Sequence, residues 1–279
     1  MNISTDKWDE PYVNITICGI GRVGLDALDR VAAMFNKGVQ FVGIDSDKVS
    51  LVRSSATTQV CIGNAAKTDP IRAAAATFAQ RNIIYETFNR ADFVFILADL
   101  GSAVGCGSAP VMAEFARKRD IITMAFVVIP SAAEGYCGME QHHMALDAIA
   151  GHADSYVVIS EDQLQEYHRG ISSHTKELYM TDSFMVHGVE VYLAALWRWQ
   201  MINTTVSDIS DAIRSGGRAH IGLGYANGEG AAREAAHQAV DCPLLGHEWL
   251  GQASRCISHI CGGDDLKLCD VMAVLKVIQ

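Results

Sequence analysis

A regular alternation of short apolar runs with longer amphipathic segments dominates residues 13–159 and leaves few folds open to this chain. The short runs are rich in β-branched residues and have the length of buried strands, whereas apolar residues recur at helical spacing in the longer segments. This alternation predicts an α/β fold, with a parallel sheet covered by helices on both faces. The predicted strands are residues 13–18, 39–44, 93–98, 122–129 and 155–159, and the predicted helices are residues 25–35, 71–88, 109–119 and 140–151.

The pattern changes near residue 174. Residues 174–201 form a long, mostly apolar stretch, which predicts a single central helix. The rest of the chain has its own predicted elements, which are helices at residues 206–214, 230–240 and 266–278 and strands at residues 220–225 and 256–260. We therefore divide the chain into an α/β domain over residues 1–173, a central helix over residues 174–201 and a smaller α+β domain over residues 202–279.

The charge and hydropathy of the chain exclude two classes of partner. Its 279 residues include 22 Lys and Arg against 32 Asp and Glu, a formal net charge of −10, and contain no basic run. This acidic balance argues against nucleic acid. The longest apolar runs, at residues 91–97 and 121–130, are shorter than the ~20 residues that a membrane-spanning helix needs, so we expect no direct membrane insertion. Residues 1–14 are polar and do not resemble a signal peptide.

Eight cysteines are scattered along the chain without a Cys-x-x-Cys pair, and most lie in apolar segments. We expect reduced, buried thiols in a cytoplasmic protein rather than a disulfide framework. Cys256, His259, Cys261 and Cys269 could be soft metal ligands, but their spacing fits no common zinc pattern. Packing in the core is the favoured interpretation, and no metal site is predicted.

A first glycine-rich turn follows the first predicted strand, where Gly19, Gly21 and Gly24 are spaced as Gly-x-Gly-x-x-Gly. Glycines at this spacing let the backbone approach a pyrophosphate, which the N-terminus of the next helix also attracts. Asp45 ends the second predicted strand, at the separation expected of an acid that binds a ribose. Taken alone, the pattern indicates an NAD(P)-dependent oxidoreductase, with a tight strand-to-helix turn that binds no ligand as the alternative.

A second glycine-rich turn follows the strand at residues 93–98, although a dehydrogenase of this kind needs only one. Its members are Gly101, Ser102, Gly105, Cys106 and Gly107. We place Pro110 at the first residue of the helix that follows, where a missing N–H costs nothing. Two such turns could bracket a polyphosphate from both sides, whereas a close helix–sheet junction would need no ligand.

These motifs, in this order, resemble the tubulin/FtsZ superfamily on its bacterial FtsZ side, over residues 14–278. The resemblance is carried by the two glycine turns, residues 41–51 (FVGIDSDKVSL), residues 91–130, Glu134-Gly135, residues 221–245 (IGLGYANGEGAAREAAHQAVDCPLL) and the Gly-Gly-x-Asp-Leu turn within residues 261–268. It implies a Rossmann-like GTPase domain, a long central helix and a reduced C-terminal domain. It also implies GTP or GDP as ligand, Mg²⁺ as a candidate companion ion, and head-to-tail association of like subunits.

The resemblance assigns roles residue by residue. The glycines at positions 19, 21 and 24 would face the phosphates from one side, and those at positions 101, 105 and 107, with Ser102 and Cys106 between them, from the other. Glu134 would approach the ribose, Asp182 would accept hydrogen bonds from guanine N1 and N2, and Asp26 replaces an asparagine that helps to read the base. Asn203 and Asp208 would position water against the terminal phosphate of the neighbouring subunit.

Several positions depart from the family pattern. Val104 replaces a hydroxyl donor, Arg22 and Val23 replace glycines, and Thr205 replaces the first of two acids. We therefore expect weak guanine-nucleotide binding and slow or lost GTP hydrolysis, with Arg22 compensating through bidentate hydrogen bonds to a phosphate. The function expected is a self-assembling cytoskeletal, cell-division or membrane-remodelling protein, with an FtsZ-type or membrane protein as further partner. The alternatives are the oxidoreductase and a pseudo-GTPase scaffold that binds no nucleotide.

Overall fold

The computed structural model describes residues 13–35, 38–131, 139–168, 180–197, 204–214, 216–245, 251–263 and 265–278. Within them, seven parallel strands form one sheet in the order β3-β2-β1-β4-β5-β6-β7. The strands are β1 Ile15–Ile20, β2 Val39–Asp45, β3 Thr58–Cys61, β4 Phe93–Asp99, β5 Ile122–Ile129, β6 Ser155–Ser160 and β7 Gly217–Ala219. The α/β fold with a parallel sheet is confirmed.

Eleven α-helices lie in the described part of the chain. They are α1 Gly21–Met34, α2 Lys48–Arg53, α3 Pro70–Ala79, α4 Arg81–Thr87, α5 Ala103–Arg117, α6 Met139–His152, α7 Glu161–His168, α8 Thr181–Trp197, α9 Val206–Arg214, α10 Ala231–Val240 and α11 Leu268–Ile278. The central helix is thus α8, and the flanks of its predicted range at residues 174–179 and 198–201 lie outside the described residues.

Buried side chains fill both faces of the sheet, as the apolar strands predict. One face packs against α1, α8 and α9, and the other against α3, α4, α5 and α6. The first face buries Ile15, Ile17, Phe93, Phe95 and Phe126 with Leu28, Phe184 and Ile213. The second buries Ile20, Val94 and Ile96 with Ile84, Met112, Phe115 and Ile149.

Some predicted boundaries are wrong. The helix predicted at residues 109–119 begins six residues earlier, at Ala103, because Ser102 caps it directly after β4, so Pro110 lies inside α5. The predicted helix at residues 71–88 is interrupted at Gln80. Residues 220–225 and 256–260 pair with no strand among the described residues. Residues 222 and 224 instead lie along α10, where an added Cβ would stand 2.0 Å and 1.8 Å from backbone oxygens of that helix.

The sheet extends past residue 202, because β7 pairs in parallel with β6. Helices α10 and α11 pack on each other beyond it. The division into parts at residues 173 and 202 stays a prediction about folding units. Among the residues that the structure describes, no helix combines the length and apolar composition that crossing a bilayer requires.

The central helix approaches the sheet closely at Gly188. A Cβ added there would lie 2.3 Å from Cε1 of the buried Phe126. Tyr192, one turn further along α8, packs its ring against Phe95 at 5.6 Å and against Phe126 at 6.4 Å between centroids. A side chain at position 188 would therefore push α8 away from β5.

We predict that Gly188→Ala lowers the free energy of unfolding by about 1–3 kcal/mol, the usual cost of overpacking a core. Gly151→Ala is the matched control, because a Cβ at Gly151 in α6 meets no atom within 4 Å. The control should be neutral or stabilising by up to ~1 kcal/mol, since alanine favours helix over glycine. Urea unfolding measures both, and equal stability of the two variants would contradict the close approach.

Candidate functional site

The two glycine turns lie side by side at the carboxyl edge of the sheet. Strands β1 and β4 are parallel neighbours, with Ile20 opposite Ala98, so the turns that follow them leave the same edge. Gly21 has a φ of +70°, and a Cβ added there would lie 3.4 Å from Ser102 Oγ in the second turn. In parallel α/β sheets, ligands bind at this edge.

Helix α1 begins at Gly21 directly after β1, and no side chain caps it. The N-cap residue is Ile20, which has no atom to accept a hydrogen bond from the first amides. A helix N-terminus without a side-chain cap retains the N–H donors and the positive dipole end that attract an anion. Arg22 is exposed in this first turn and adds a cationic side chain.

The second turn, in contrast, supplies acceptors of its own. Asp99 ends β4, and its Oδ1 accepts a hydrogen bond of 2.7 Å from the Gly101 amide. Ser102 Oγ accepts from the Gly105 amide at 3.0 Å and donates to the Asp99 carbonyl oxygen at 3.0 Å. Asp99 is absent from the predicted site, although a carboxylate that ends an otherwise apolar strand is a visible signal in the sequence.

Cys106 is buried near the start of α5. Its Sγ donates a hydrogen bond of 2.9 Å to the Leu100 carbonyl oxygen. Burial, followed by the nearby Asp99 charge, raises the pKa of Cys106 to about 12. The thiol therefore stays protonated at neutral pH and ties α5 to the end of β4.

Close packing explains several of the predicted phosphate-binding glycines without a ligand. A Cβ added at Gly24 would lie 2.3 Å from the Leu97 carbonyl oxygen, and one added at Gly19 would lie 2.6 Å from the Gly24 carbonyl oxygen. These contacts bring α1 against β4. A Cβ added at Gly101 would lie 2.9 Å from Asp99 Oδ1.

The glycines at positions 105 and 107 lie inside α5 and are buried. A Cβ at Gly105 would stand 1.9 Å from the Asp99 carbonyl oxygen, and one at Gly107 would stand 2.2 Å from the Pro70 carbonyl oxygen. Both residues therefore allow α5 to pack against its neighbours. Their contact with phosphate stays a prediction.

The predicted base-reading acids lie among charged neighbours. Arg30 Nη1 is 2.5 Å from Asp182 Oδ2, an ion pair that joins α1 to α8. The Asp182 Oδ1 atom accepts a hydrogen bond of 3.0 Å from the Ser183 amide. The pKa of Asp26 is raised above its ordinary value, chiefly by partial burial. The Arg22 charge opposes this rise, and the neighbouring acids, which include Asp182, add to it. Asp26 and Asp182 are therefore close enough to interact.

Asp45 organises the turn after β2. It is only 6% exposed, and its Oδ1 accepts hydrogen bonds from the Asp47 amide at 2.9 Å and from Ser46 Oγ at 3.3 Å. The carboxylate lies at the carboxyl edge, yet a local structural role already accounts for it. A role in cofactor binding stays a prediction.

Asp208 forms a reciprocal cap with Thr205 at the start of α9. Asp208 Oδ2 accepts from the Thr205 hydroxyl at 2.6 Å and from its amide at 2.9 Å, and Thr205 Oγ1 accepts from the Asp208 amide at 3.1 Å. These hydrogen bonds lower the pKa of Asp208 from its ordinary value of 3.8, so its contribution to stability is complete above 3.8 and is lost as the pH falls through the lowered value. Asn203 and Glu134 lie outside the described residues.

The prediction that the late cysteines pack in the core is wrong. Cys256, Cys261 and Cys269 are exposed: the first two lie in residues 251–263, which form no helix or strand, and the third lies at the start of α11. Cys18 and Cys242 are buried, as expected of apolar segments, and burial raises the pKa of both thiols.

Family profiles and curated relatives match nearly the whole chain. A profile of the Tubulin/FtsZ family, GTPase domain, matches residues 14–169, and a profile of the FtsZ family, C-terminal domain, matches residues 217–279. Cell division protein FtsZ 1 of Thermococcus kodakarensis is 28% identical over 277 residues, which cover 97% of this chain and 73% of that protein. The protein of the same name from Methanocaldococcus jannaschii is 28% identical over 271 residues, covering 95% and 74%.

Solved structures agree with the profiles. An empty FtsZ dimer of M. jannaschii matches with a TM-score of 0.81 at 26% identity and covers 95% of this chain and 79% of that one. CetZ2 of Haloferax volcanii, in a GTPγS-bound protofilament, shares the fold with a TM-score of 0.65 at 21% identity, covering 82% and 73%. These relatives are archaeal, which corrects the expected placement on the bacterial side. Because the GTPase-domain profile matches more than half of the chain and the C-terminal profile matches its last part, this chain belongs to the Tubulin/FtsZ family.

Proposed function

We propose that this protein binds GTP or GDP at the carboxyl edge of the sheet, weakly, and associates head to tail with copies of itself in cell-division or cytoskeletal work, with slow or no GTP hydrolysis. The observation that carries the proposal is the uncapped N-terminus of α1, with Arg22 in its first turn, facing the second glycine turn. The Tubulin/FtsZ family binds GTP and GDP. That membership favours guanine nucleotide over the NAD(P)-dependent alternative.

Phosphate binding would divide unequally between the two turns. The amides at the start of α1 offer donors and positive dipole to an anion. In the second turn, the Asp99 carboxylate already accepts from the Gly101 amide, so a phosphate there would meet a like charge and compete for the same donor. This competition supports weak binding.

Base recognition would involve a similar exchange. Guanine offers two N–H donors to a carboxylate, and Asp182 fits that task by charge and by position on α8 beside α1. Its Oδ2 atom is held by Arg30 at 2.5 Å, in a pair whose side chains are 44% and 27% exposed. A pair this accessible contributes little to stability, so guanine could displace the guanidinium at small cost.

Mg²⁺ would accompany the phosphates as a companion ion. Carboxylate oxygen is a ligand type that Mg²⁺ accepts, and Asp99 supplies one beside the second turn. A divalent cation there would offset the repulsion between Asp99 and the phosphates.

Hydrolysis would be slow because the acids that it needs are missing or engaged. Asp208 holds the start of α9 through three hydrogen bonds with Thr205, and a threonine hydroxyl is a poor general base.

A second candidate function, a pseudo-GTPase scaffold without nucleotide, is favoured by one observation: the Asp99 carboxylate stands where an anion would otherwise accept from the Gly101 amide.

The direct test is a thermal-shift titration against GTP, GDP, ATP and NADH, each with Mg²⁺. A ligand that binds only the folded state raises the melting temperature by mass action. We expect GTP and GDP to raise it and ATP and NADH to leave it unchanged. A shift with NADH alone would restore the oxidoreductase, and no shift with any ligand would favour the scaffold.

The charges at the edge give a second prediction. In the absence of Mg²⁺, Asp99→Asn keeps an acceptor for the Gly101 amide and removes the negative charge, so it should tighten GDP binding by about tenfold, the ~1.4 kcal/mol scale of a partly screened charge interaction. Arg22→Ala should weaken GDP binding to a similar degree. Isothermal titration calorimetry measures both.

Controls for these variants lie at the amino ends of the strands, on the other side of the sheet from the carboxyl edge. Asp120→Asn and Arg90→Ala make the same changes in net charge at exposed positions before β5 and β4. Neither should alter GDP affinity by more than about twofold, since exposed charges so distant are screened by salt. Equal effects at both edges would exclude a local role for Asp99 and Arg22.

A third prediction concerns hydrolysis. Thr205→Asp restores an acid and keeps a residue type that caps helices well. Phosphate release from GTP, measured at concentrations where the protein associates, should rise by about tenfold or more, because general-base groups contribute ~10²–10⁴-fold. Thr204→Asp, one residue earlier and also exposed, should not change the rate. A rise in the control alone would refute the assignment.

A further inference from the structure

Three side chains with different metal-binding atoms converge between the central helix and the segment at residues 251–263. Glu190 lies on α8, and His259 and Cys261 lie in that segment. One carboxylate oxygen, one imidazole nitrogen and the thiol sulfur all lie within 4.8 Å of one another. Cys261 Sγ is 2.8 Å from His259 Nε2, and Glu190 Oε2 is 3.0 Å from His187 Nδ1.

The cluster differs from the one that cysteine spacing suggested. Among the described residues, Cys256 and Cys269 are not members of this group. Their Sγ atoms lie instead 3.7 Å from Ser258 Oγ and 3.9 Å from Asp270 Oδ1. The third donor comes instead from α8, far earlier in the chain. Spacing within residues 256–269 therefore could not reveal it.

Most of this segment is exposed. Residues 251–263 contain no helix or strand, and only Ile257 and Ile260 are half-buried, with the others exposed. Ile257 packs against the core cluster that includes α8. A ligand bound jointly by His259, Cys261 and Glu190 would hold this segment and α8 together beside the Ile257 contact.

We propose that Glu190, His259 and Cys261 form a Zn²⁺ site that joins α8 to residues 251–263. Zn²⁺ accepts sulfur, nitrogen and oxygen at ~2.0–2.3 Å in tetrahedral geometry, which separates ligand atoms by about 3.5 Å. The observed separations, from 2.8 Å to at most 4.8 Å, bracket that value, and His259 and Cys261 are exposed side chains that can adjust. The thiolate selects a soft or borderline metal over Mg²⁺ or Ca²⁺.

The neighbouring residues fit this role. His187 Nδ1 hydrogen-bonds the Glu190 carboxylate and would orient it, as partners of metal-bound carboxylates do. Glu190 is 16% exposed at its side chain, so the oxygen donor is already held in place. With three protein donors at the surface, water would complete the coordination.

The test uses the full chain, stripped with a chelator and titrated with Co²⁺. A thiolate-bound tetrahedral cobalt ion gives a sulfur-to-metal charge-transfer absorption and intense visible bands. We expect one equivalent to produce both, Zn²⁺ to abolish both, and Zn²⁺ to raise the melting temperature. Absence of a charge-transfer band would overturn the proposal.

Variants locate the metal. Cys261→Ser, His259→Gln and Glu190→Gln should each weaken Co²⁺ binding by tenfold or more, while Cys256→Ser and Cys269→Ser should leave it unchanged. Binding that persists in Glu190→Gln would overturn the link to α8, and a band that persists in Cys261→Ser would place the metal elsewhere. Far-ultraviolet circular dichroism verifies that each variant is folded. The readouts are independent of nucleotide, so failure here leaves the proposed function untouched.

Discussion

Helix α1 lies so close to strand β4 that only glycine fits at position 24, where a Cβ would stand 2.3 Å from the Leu97 carbonyl oxygen. This approach sets the N-terminus of α1 beside the turn after β4, and the parallel pairing of β1 with β4 fixes the level of both. The candidate site depends on this packing, because it brings the uncapped amides of α1, Arg22 and the second glycine turn to one edge. Gly105 and Gly107 likewise allow α5 to pack closely against the end of β4 and the start of α3.

Charge modifies this scaffold at both ends of the proposed nucleotide site. At the phosphate end, Asp99 adds a negative charge beside the second turn and accepts from its first amide. At the base end, Arg30 adds a positive charge against the acid that would bind guanine. Each group satisfies a partner that a nucleotide would otherwise satisfy. The family scaffold thus carries internal groups that would compete with a bound nucleotide, which accounts for the weak binding that we propose.

The sequence predicts the central strands well and the two outermost strands, β3 and β7, poorly, for physical reasons. Strands β1, β2, β4, β5 and β6 are covered by helices, so they consist of near-continuous apolar runs. Strands β3 and β7 have four and three residues at the two edges of the sheet, too few to show a period. Residues 220–225 looked like a strand because their glycines and apolar residues alternate, but close packing along α10 produces that pattern.

The candidate site shows the same division. The glycine turns are visible in the sequence because backbone packing fixes their spacing. Pairs between distant residues are not visible: Arg30 and Asp182 are 152 residues apart, and Glu190 meets His259 and Cys261 only in the folded chain. Asp99 lies within a recognised motif, yet its acceptance of the Gly101 amide requires the turn geometry.

Amide hydrogen exchange with and without GDP shows whether a nucleotide binds at the carboxyl edge of the sheet, because it reports which amides the ligand protects. Exchange should slow at residues 19–24 and 99–107, where phosphate would accept from the amides of the two turns, and around Asp182 on α8. Protection confined to other elements, or equal exchange with and without saturating GDP, would contradict a nucleotide site at the carboxyl edge of the sheet.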